Sequence, residues 1–396
     1  MMPEQASSPV PGLLVIVNTL ATGGAEKQVV TLLNHLDTRR LRLHLAYLQR
    51  NESLLPNLDA GRLEQVLCGD VSRKIDWRTV RSLRQLITAR RIDALLCTNP
   101  YSMLYGYLAR GARPGIPLVT AFHSTQLHSL KEKLQMLLYR PLLNRCERLI
   151  YVCESQREYW RRRGLNPPDE VIYNGIDVEH FTDRYSPDDK LALRLSLGFG
   201  AEDYLIGLCS ALRPEKAATD LLHALARLRA RGLPAKALFI GDGPQRPRLE
   251  ATAAAMGLRP HIRVTGLKPD VRPFVACCDV MTLVSRSVEA FSLAALEAMS
   301  LGKPMVLSEI GGARELVVAG EQGFIYPPGQ IDALTEHLGR LADPALRQRL
   351  GRAAGQRVRE RFTVEAMTER FASSLTSLLG GRPLEQGPAV AARSSG

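Results

Sequence analysis

Residues 279–312 read DVMTLVSRSVEAFSLAALEAMSLGKPMVLSEIGG, a stretch that begins and ends with an apolar run and carries a helix-forming segment between them. Ser292 is a typical N-cap residue, and Gly302 followed by Pro304 ends a helix in the usual order. Two apolar strands joined by a helix form a strand–helix–strand unit in which the strands are parallel. The stretch therefore predicts a parallel sheet covered by helices.

Two glutamates, Glu289 and Glu297, lie eight positions apart in this stretch. At about 100° per residue, Glu297 falls on the same arc of the helix as Leu293, Leu296 and Leu301. An ionised carboxylate on a buried face is costly unless a partner satisfies it. A pair of vicinal hydroxyls, such as those of a ribose, would do so, and a structural Glu–Arg pair is the alternative.

Glu289 lies before the helix, in the strand-to-helix loop, beside the backbone amides of residues 290–293. The unpaired amides and the dipole of a helix N-terminus attract anions. This single loop is therefore a candidate for holding a phosphate, a polar group and a ribose.

The alternation of strands and helices extends in both directions from this stretch. The apolar runs predicted as strands are 13–18, 43–48, 93–98, 117–123, 148–155 and 170–177 in the first half, and 203–212, 236–243, 262–266, 279–285 and 304–312 in the second. This pattern is typical of doubly wound sheets, which bind ligands outside the carboxyl ends of their strands. We therefore expect an α/β protein with two doubly wound Rossmann-like domains.

A polar stretch, DRYSPDDK, separates the two series of strands. We expect a first domain over residues 1–183 and a second domain over 184–360. The Gly/Pro/Ala-rich tail over 381–396 should be disordered.

Two short-range signals occur near the end of the first half. Ser155 and Glu158 have the spacing of a capping box, which predicts that Ser155 caps a helix. Asn174 and Gly175, in YNGID, are typical of a turn.

The composition indicates a globular chain with an anionic partner. It has 396 residues, 45% of them hydrophobic, and a formal net charge of +12. The charge favours a phosphate-bearing ligand, nucleic acid or an acidic membrane surface. Basic residues are concentrated at 73–91 and 157–164, although solvated helix faces explain these segments equally well. No basic platform interleaved with aromatic residues accompanies them, so we expect no nucleic-acid partner.

Seven cysteines are present, several of them within apolar runs, and none forms a CxxC pair. Buried free thiols in a reducing compartment are therefore expected. The N-terminal residues lack the plan of a signal peptide, and no apolar run approaches the roughly 20 residues needed to cross a bilayer. We expect a cytoplasmic protein, with at most a peripheral contact at the inner face of an anionic membrane.

The spacing of the two glutamates resembles the E-x7-E signature of glycosyltransferase family four, whose members are retaining enzymes with the two-domain GT-B fold. The resemblance covers roughly residues 13–375. It implies that the two Rossmann-like domains face each other across a cleft and that a C-terminal helix over 361–380 packs back on the first domain. It extends to LCSALRPEKAATDLL, where Arg213 and Lys216 match the cations that hold the donor diphosphate in the family. The family commonly has an Arg five residues before the Lys, whereas this chain has Ala211 at that position.

Other loops of the chain are similar to those of the family. NTLATGGAEKQV resembles a loop in which Gly23 and Gly24 let the backbone approach the donor phosphate, and FIGDGPQRPRLE resembles a strand followed by a G-x-G turn at Gly241. TAFHST places His123 at a strand end facing the cleft, where the resemblance implies contact with the transferred sugar. Taken singly, these motifs would also suit plain turns and a structural histidine.

The site residues implied by the resemblance form two groups. The catalytic group is His123, Glu289, Arg213 and Lys216, and the donor-binding group is Gly23, Gly24, Gly241, Ala290, Phe291, Ser292, Leu293 and Glu297. Ala290 and Ser292 replace two glycines that are common in the family, and we expect the amides of the loop to remain accessible.

The implied reaction is transfer of a sugar, with retention of configuration, from a nucleotide diphosphate sugar to a glycan or lipid-linked acceptor, as in polysaccharide biosynthesis. A UDP-sugar is the first expectation for the donor and a GDP-sugar the second. No D-x-D motif lies in a suitable loop, so neither a metal nor a cofactor is expected. Two alternatives stay open: a sugar-nucleotide epimerase of the same fold, and a non-catalytic protein that binds a nucleotide sugar or nucleic acid.

Overall fold

The computed structural model describes residues 10–111, 113, 115–123, 130–287 and 289–380, with the backbone alone at 130–133. The tail predicted to be disordered, 381–396, lies outside the described residues.

A seven-stranded parallel sheet forms the first half of the protein. Its strands are β1 (Gly12–Val17), β2 (Arg42–Tyr47), β3 (Leu63–Cys68), β4 (Ile92–Thr98), β5 (Leu118–Phe122), β6 (Arg148–Tyr151) and β7 (Asp169–Val171). The spatial order is β3-β2-β1-β4-β5-β6-β7. The helices between them are α1 (Gly24–His35), α2 (Trp77–Ala89), α3 (Asn99–Arg110), α4 (Leu130–Leu143) and α5 (Glu154–Arg161). All six residues of β1 are buried because helices cover both faces of the sheet.

A six-stranded parallel sheet forms the second half. Its strands are β8 (Tyr204–Cys209), β9 (Ala235–Ile240), β10 (Ile262–Val264), β11 (Val280–Leu283), β12 (Met305–Ser308) and β13 (Gly323–Tyr326), in the order β10-β9-β8-β11-β12-β13. The helices of this half are α6 (Pro187–Ser196), α7 (Thr219–Ala230), α8 (Arg246–Ala255), α9 (Arg272–Ala276), α10 (Leu293–Ser300), α11 (Ala313–Leu316), α12 (Ile331–Arg340) and α13 (Pro344–Arg361). The predicted fold class, two doubly wound parallel sheets, is confirmed.

Two strands were missed by the pattern of apolar runs. Strand β3 lies at the edge of its sheet and alternates half-buried with exposed residues, and β13 is only four residues long. Strand β3 therefore lacks the continuous apolar run that marks a central strand of a parallel sheet. Strand β13 is apolar and mostly buried, but it is short and lies at the edge of its sheet.

The last helix, α14 (Val364–Leu379), contacts the first half of the chain. The guanidinium of Arg148 in β6 donates to the Ser374 carbonyl at 2.7 Å, and Phe371 belongs to the same apolar cluster as Val15 of β1. A backbone bridge between Ile176 and Thr363 lies at the start of this helix. The domain limits proposed from the sequence remain a prediction.

The N-terminus of α5 shows that the predicted capping box is wrong. The helix begins at Glu154, its N-cap is Cys153, and no side-chain cap is made from within the helix. Instead, the two carboxylate oxygens of Glu315, in α11, accept from the amides of Glu154 (2.8 Å) and Ser155 (2.9 Å). A carboxylate from the second half thus caps a helix of the first half.

Each sheet has one point where the strand order reverses, and ligands of doubly wound sheets bind beyond the carboxyl ends of the strands at this point. In the first sheet the reversal lies between β1 and β4, and in the second between β8 and β11. The loops that follow β8 and β11 are the segments in which the sequence places Lys216 and Glu289.

Candidate functional site

The loop after β8 and the loop after β11 meet through an ion pair. The Lys216 ammonium lies 2.5 Å from the Glu289 carboxylate, and the Ser285 hydroxyl donates to the same carboxylate oxygen at 3.2 Å. Lys216 ends a 3-10 turn, Pro214–Lys216, and the next residue, Ala217, is left-handed with φ 46° and ψ 39°. Two predicted catalytic residues, 73 positions apart, are therefore in direct contact.

Arg213 lies at the start of the same loop but does not join this pair. Its side chain is exposed, and its backbone amide donates to the Ala211 carbonyl at 2.9 Å. Within the described ranges, no hydrogen bond or ion pair of the Arg213 side chain is found. Its guanidinium can therefore reorient toward an anion in the cleft without breaking a bond to the protein.

Helix α10 begins beside Glu289, as the sequence predicts. Ser292 is its N-cap, with the hydroxyl accepting from the Ala295 amide at 3.3 Å, and Gly302 follows the helix with φ 70°. These two predictions are confirmed. In the described part of the chain, the amides of residues 290–293 have no protein acceptor, so they form a group of free donors at the helix N-terminus.

Two neighbouring groups orient these amides. The Ala290 carbonyl accepts from the Gly312 amide at 2.7 Å, and the Phe291 carbonyl accepts from the Asn174 side chain at 2.9 Å. Because N–H and C=O point in opposite directions in a trans peptide, these bonds also fix the direction of the next amide in each case. Asn174 was predicted only as a turn residue, and its contact across the cleft has no local signal in the sequence.

Gly311 and Gly312 permit a close approach to the loop that contains Glu289. Gly311 has φ 55°, and a Cβ atom there would lie 2.0 Å from the Glu289 carbonyl oxygen. A Cβ atom at Gly312 would lie 2.7 Å from a ring carbon of Phe291. Any larger residue would displace the loop.

Glu297 lies half-buried on α10. Burial raises the pKa of its carboxyl from the usual 4.5 to about 7, and the nearby Lys27 of α1 opposes this shift. The pKa of the Cys209 thiol, at the end of β8, is raised to about 12 by burial and then by the charge of Glu297. No ion pair of Glu297 with an Arg is found among the described residues, so the structural Glu–Arg alternative has no support there.

The predicted glycine loop of the first half faces α10. A Cβ atom at Gly24 would lie 3.9 Å from the Leu293 side chain, which places the start of α1 opposite the start of α10. A Cβ atom at Gly23 would lie 2.2 Å from the Glu26 carboxylate. The contact of Gly23 is thus with its own helix, and only Gly24 lies close to α10.

Gly241 has a packing role that the motif did not specify. It has φ 135°, and a Cβ atom there would lie 2.2 Å from the Ser210 carbonyl oxygen. Gly243 similarly approaches the Leu212 carbonyl. The G-x-G turn therefore supports the loop after β8, the same loop that carries Lys216.

His123 follows β5 and lines a cavity of the first half together with Gln28, Thr98 and Asn174. Burial lowers the pKa of the His123 imidazole to about 4. The ring is therefore neutral at pH 7 and acts as a hydrogen-bonding group rather than a cation. The rest of the motif, Ser124 and Thr125, lies outside the described residues.

In the described residues, no group of three or more His, Cys, Asp or Glu side chains is placed to hold a metal ion. None of the helices there has both the length and the apolar character needed to span a bilayer.

Known proteins resemble this chain along most of its length. Residues 22–180 match the family described as Glycosyltransferase Family 4, and residues 189–357 match the one described as Glycosyl transferases group 1. The alpha-D-kanosaminyltransferase of Streptomyces kanamyceticus is 25% identical over 310 residues, which are 74% of this chain and 79% of that protein.

A GDP-mannose-dependent monoacylated alpha-(1-6)-phosphatidylinositol monomannoside mannosyltransferase of Corynebacterium glutamicum is 26% identical over 313 residues, 76% of this chain and 80% of that protein. The crystal structure of Anabaena HepE in complex with UDP-glucose has a TM-score of 0.79 at 24% identity. It covers 92% of this chain and 99% of that one, and it shows that the fold is shared.

Proposed function

The chain belongs to the glycosyl transferases of group 1 and family 4, and on that premise we propose that it moves a hexosyl group from a UDP-sugar to a glycan or lipid-linked acceptor with retention of configuration. Membership in this enzyme family sets aside the non-catalytic alternative. One observation carries the proposal: Lys216, Glu289 and the free amides of residues 290–293 lie together at the strand-order reversal of the second sheet.

These groups suit the departure of a nucleoside diphosphate. Negative charge develops on the leaving phosphate as the bond to the sugar breaks. Lys216, the exposed Arg213 and the amides of residues 290–293 are donors that need no reorganisation of the fold to stabilise that charge. We assign the leaving-group role to these residues rather than to a metal ion.

The two glutamates have separate roles in this proposal. Glu297, partly buried and without an ion-pair partner among the described residues, would accept hydrogen bonds from the ribose hydroxyls of the donor. Glu289 would orient the sugar, with its carboxylate held by Lys216 and Ser285. Neutral His123, in the first half, would contact the transferred sugar from the other side of the cleft.

The donor nucleotide is proposed from the comparisons. UDP is placed first because HepE, which shares the fold, is solved with UDP-glucose, and GDP second because the Corynebacterium relative is GDP-mannose-dependent. The test is thermal unfolding with UDP, GDP, ADP and dTDP, each with excess EDTA. A ligand at a hundredfold excess over its Kd stabilises the folded state by about 2.7 kcal/mol.

A clear rise in Tm with UDP supports both the nucleotide and the metal-independent site. A rise only with GDP replaces the proposed nucleotide, and a rise that EDTA abolishes contradicts the metal-independent mechanism. Incubation of the donor without any acceptor separates transfer from epimerisation, because an epimerase would convert the donor sugar by itself.

We further propose that the acceptor is presented at an anionic membrane, to which the first half binds peripherally. Helix α4 exposes Leu134, Leu137 and Leu138, each by more than half, and their spacing places them on one face. These three leucines do not face the core. Trp77, at the start of α2, is also mostly exposed.

The exposed side of α2 is basic. Its buried face consists of apolar residues and Thr79, while the seven cations of the 73–91 segment, Arg73, Lys74, Arg78, Arg81, Arg84, Arg90 and Arg91, are all exposed or border its ends. Each such charge near an anionic surface contributes about 1 kcal/mol. Helix α3 contacts both α2 and α4. Exposed apolar residues combined with basic residues are typical of interfacial helices.

Flotation with vesicles of phosphatidylglycerol and phosphatidylcholine tests the membrane proposal. We expect binding at low salt that requires the anionic lipid and falls in the Leu134→Ser/Leu137→Ser/Leu138→Ser variant. The matched control is Leu195→Ser/Leu267→Ser, which removes two exposed leucines from the second half and should float like the wild type. Absence of binding at low salt would contradict the proposal.

A further inference from the structure

Arg286 contacts the loop that carries Lys216 at two points. Its guanidinium donates twice to the carboxylate of Asp220 in α7, from Nε at 2.9 Å and from Nη2 at 2.7 Å. Its backbone amide donates to the Glu215 carbonyl at 2.9 Å. One residue of the loop after β11 therefore holds both ends of a short segment in the loop after β8.

The two contacts of Arg286 lie on either side of Lys216, a residue of the candidate site. Glu215 immediately precedes Lys216, and Asp220 follows it by four residues, so Lys216 lies between the two points that Arg286 holds. Three residues after Arg286, Glu289 pairs with the Lys216 ammonium at 2.5 Å. The two loops are thus joined on both sides of the lysine.

The side chains of Asp220 and Arg286 differ in burial, and this difference determines how much their ion pair contributes to stability. The Asp220 side chain is 3% exposed, whereas that of Arg286 is 56% exposed. Exposed ion pairs contribute little to stability. Here, however, loss of the guanidinium would leave a buried carboxylate unpaired, which is strongly unfavourable.

The geometry also favours arginine over lysine. A planar guanidinium forms two parallel bonds to one carboxylate, which fixes direction as well as distance. A single ammonium at position 286 would reproduce the charge but not the double bond.

We propose that Arg286 is a positioning residue for the transfer reaction. By holding Glu215 and Asp220, it fixes the turn between them and keeps the Lys216 ammonium in contact with the Glu289 carboxylate. The importance of this contact for catalysis rests on the proposed role of Lys216 in binding the diphosphate of the sugar donor. Arg286 lies outside the two-glutamate motif and outside the Arg213–Lys216 segment, so neither motif identifies it.

The first test needs no ligand. Lysines of the folded protein are acetylated with an N-hydroxysuccinimide ester, and the rate at Lys216 is followed by peptide mass spectrometry. We expect Arg286→Met to raise the acetylation rate at Lys216 severalfold, because residues that share contacts are energetically coupled. The matched control is Arg227→Met. Arg227 lies in α7, the helix that also contains Asp220, and it pairs with Asp332 at 2.5 Å on an exposed surface. An unchanged rate at Lys216 in Arg286→Met would overturn the proposal.

The second test separates positioning from stability. Arg286→Met should lower Tm and weaken UDP binding on the order of tenfold, and Arg286→Lys should recover only part of the affinity. In Asp220→Ala/Arg286→Met the buried charge is also gone, so Tm should return toward the wild-type value. The affinity for UDP should not return, because the contact between residues 286 and 220 is still missing.

Recovery of UDP affinity together with Tm in the double variant would show that Arg286 acts only through stability, against the proposal. A wild-type protein that does not bind UDP would contradict the proposed donor instead. The acetylation rate at Lys216 would then still decide whether Arg286 positions the turn.

Discussion

The ammonium of Lys216 lies 2.5 Å from the carboxylate of Glu289, although the two residues are 73 positions apart and belong to different loops. Both side chains are about one-fifth exposed, so their charges are only partly screened by water. A phosphate that binds Lys216 must therefore compete with Glu289. This relationship gives the two residues opposite effects on donor binding.

Glu289→Gln should bind UDP more tightly than the wild type and transfer sugar more slowly. Removal of the carboxylate charge removes its competition with phosphate for the Lys216 ammonium, which we expect to strengthen binding roughly fivefold. The lost contact with the sugar should lower turnover by about 10²-fold or more, as for other groups acting in the transition state. Calorimetric titration with UDP and a transfer assay measure the two effects. Glu250→Gln, which alters an exposed ion pair of α8, is the control, and weaker UDP binding in Glu289→Gln would contradict this reasoning.

Glu297 should make stability depend on pH. Its pKa is near 4.5 in the unfolded chain and about 7 in the folded protein, so the folded state binds more protons between these values. Stability from this group is therefore present at pH 5, is lost as the pH rises toward 7, and is constant above it. We expect Glu297→Gln to gain roughly 1–3 kcal/mol relative to the wild type between pH 5 and pH 8. A difference in unfolding free energy that does not change over this range would contradict the assignment.

The elements that depend on neighbouring residues were predictable from the sequence. Ser292 and Gly302 bound α10 as expected, because capping and helix termination are determined within a few positions. The capping box at Ser155 and Glu158 failed for a non-local reason. The carboxylate of Glu315, some 160 residues away, occupies the amides that a local cap would have satisfied.

The proximity of two candidate site residues was predictable from the sequence, but other contacts of the candidate site were not. Motif spacing placed Lys216 and Glu289 at strand ends that meet where the strand order reverses, and their contact follows from the topology. The sequence contains no comparable signal for Asn174 or Arg286. Asn174 contacts Phe291, and Arg286 contacts Glu215 and Asp220, and such long-range contacts exist only in the folded chain.

Glu315→Gln should loosen the start of α5. The neutral amide offers one acceptor where the carboxylate offers two, and the charge that favours a helix N-terminus is lost. We expect the amides of Glu154 and Ser155 to exchange their hydrogens at least about tenfold faster, which corresponds to about 1.4 kcal/mol of local stability. Hydrogen exchange with mass spectrometry measures this. In the control, Glu309→Gln, an exposed pair with Arg314 is changed and exchange in α5 should stay as in the wild type.

Ala217→Gly should stabilise the protein. Ala217 has φ 46° and ψ 39°, a left-handed conformation that costs a residue with a Cβ atom about 1–2 kcal/mol. Glycine adopts it freely but loses more entropy on folding, so we expect a net gain of about 0.5–1 kcal/mol. Ala226→Gly, inside α7, should instead cost about 1 kcal/mol. Thermal unfolding of both variants tests these opposite effects on stability. A loss of stability in Ala217→Gly would show that the left-handed turn is not strained.

A crystal structure of the protein with UDP tests the central claim most directly. We predict that the ribose hydroxyls lie within hydrogen-bond distance of Glu297 and that the diphosphate lies beside Lys216 and the amides of residues 290–293, with the Lys216–Glu289 contact lengthened. Ordered UDP at any other place on the second sheet, or at this place with the Lys216–Glu289 pair unchanged and no contact to the amides, would contradict it.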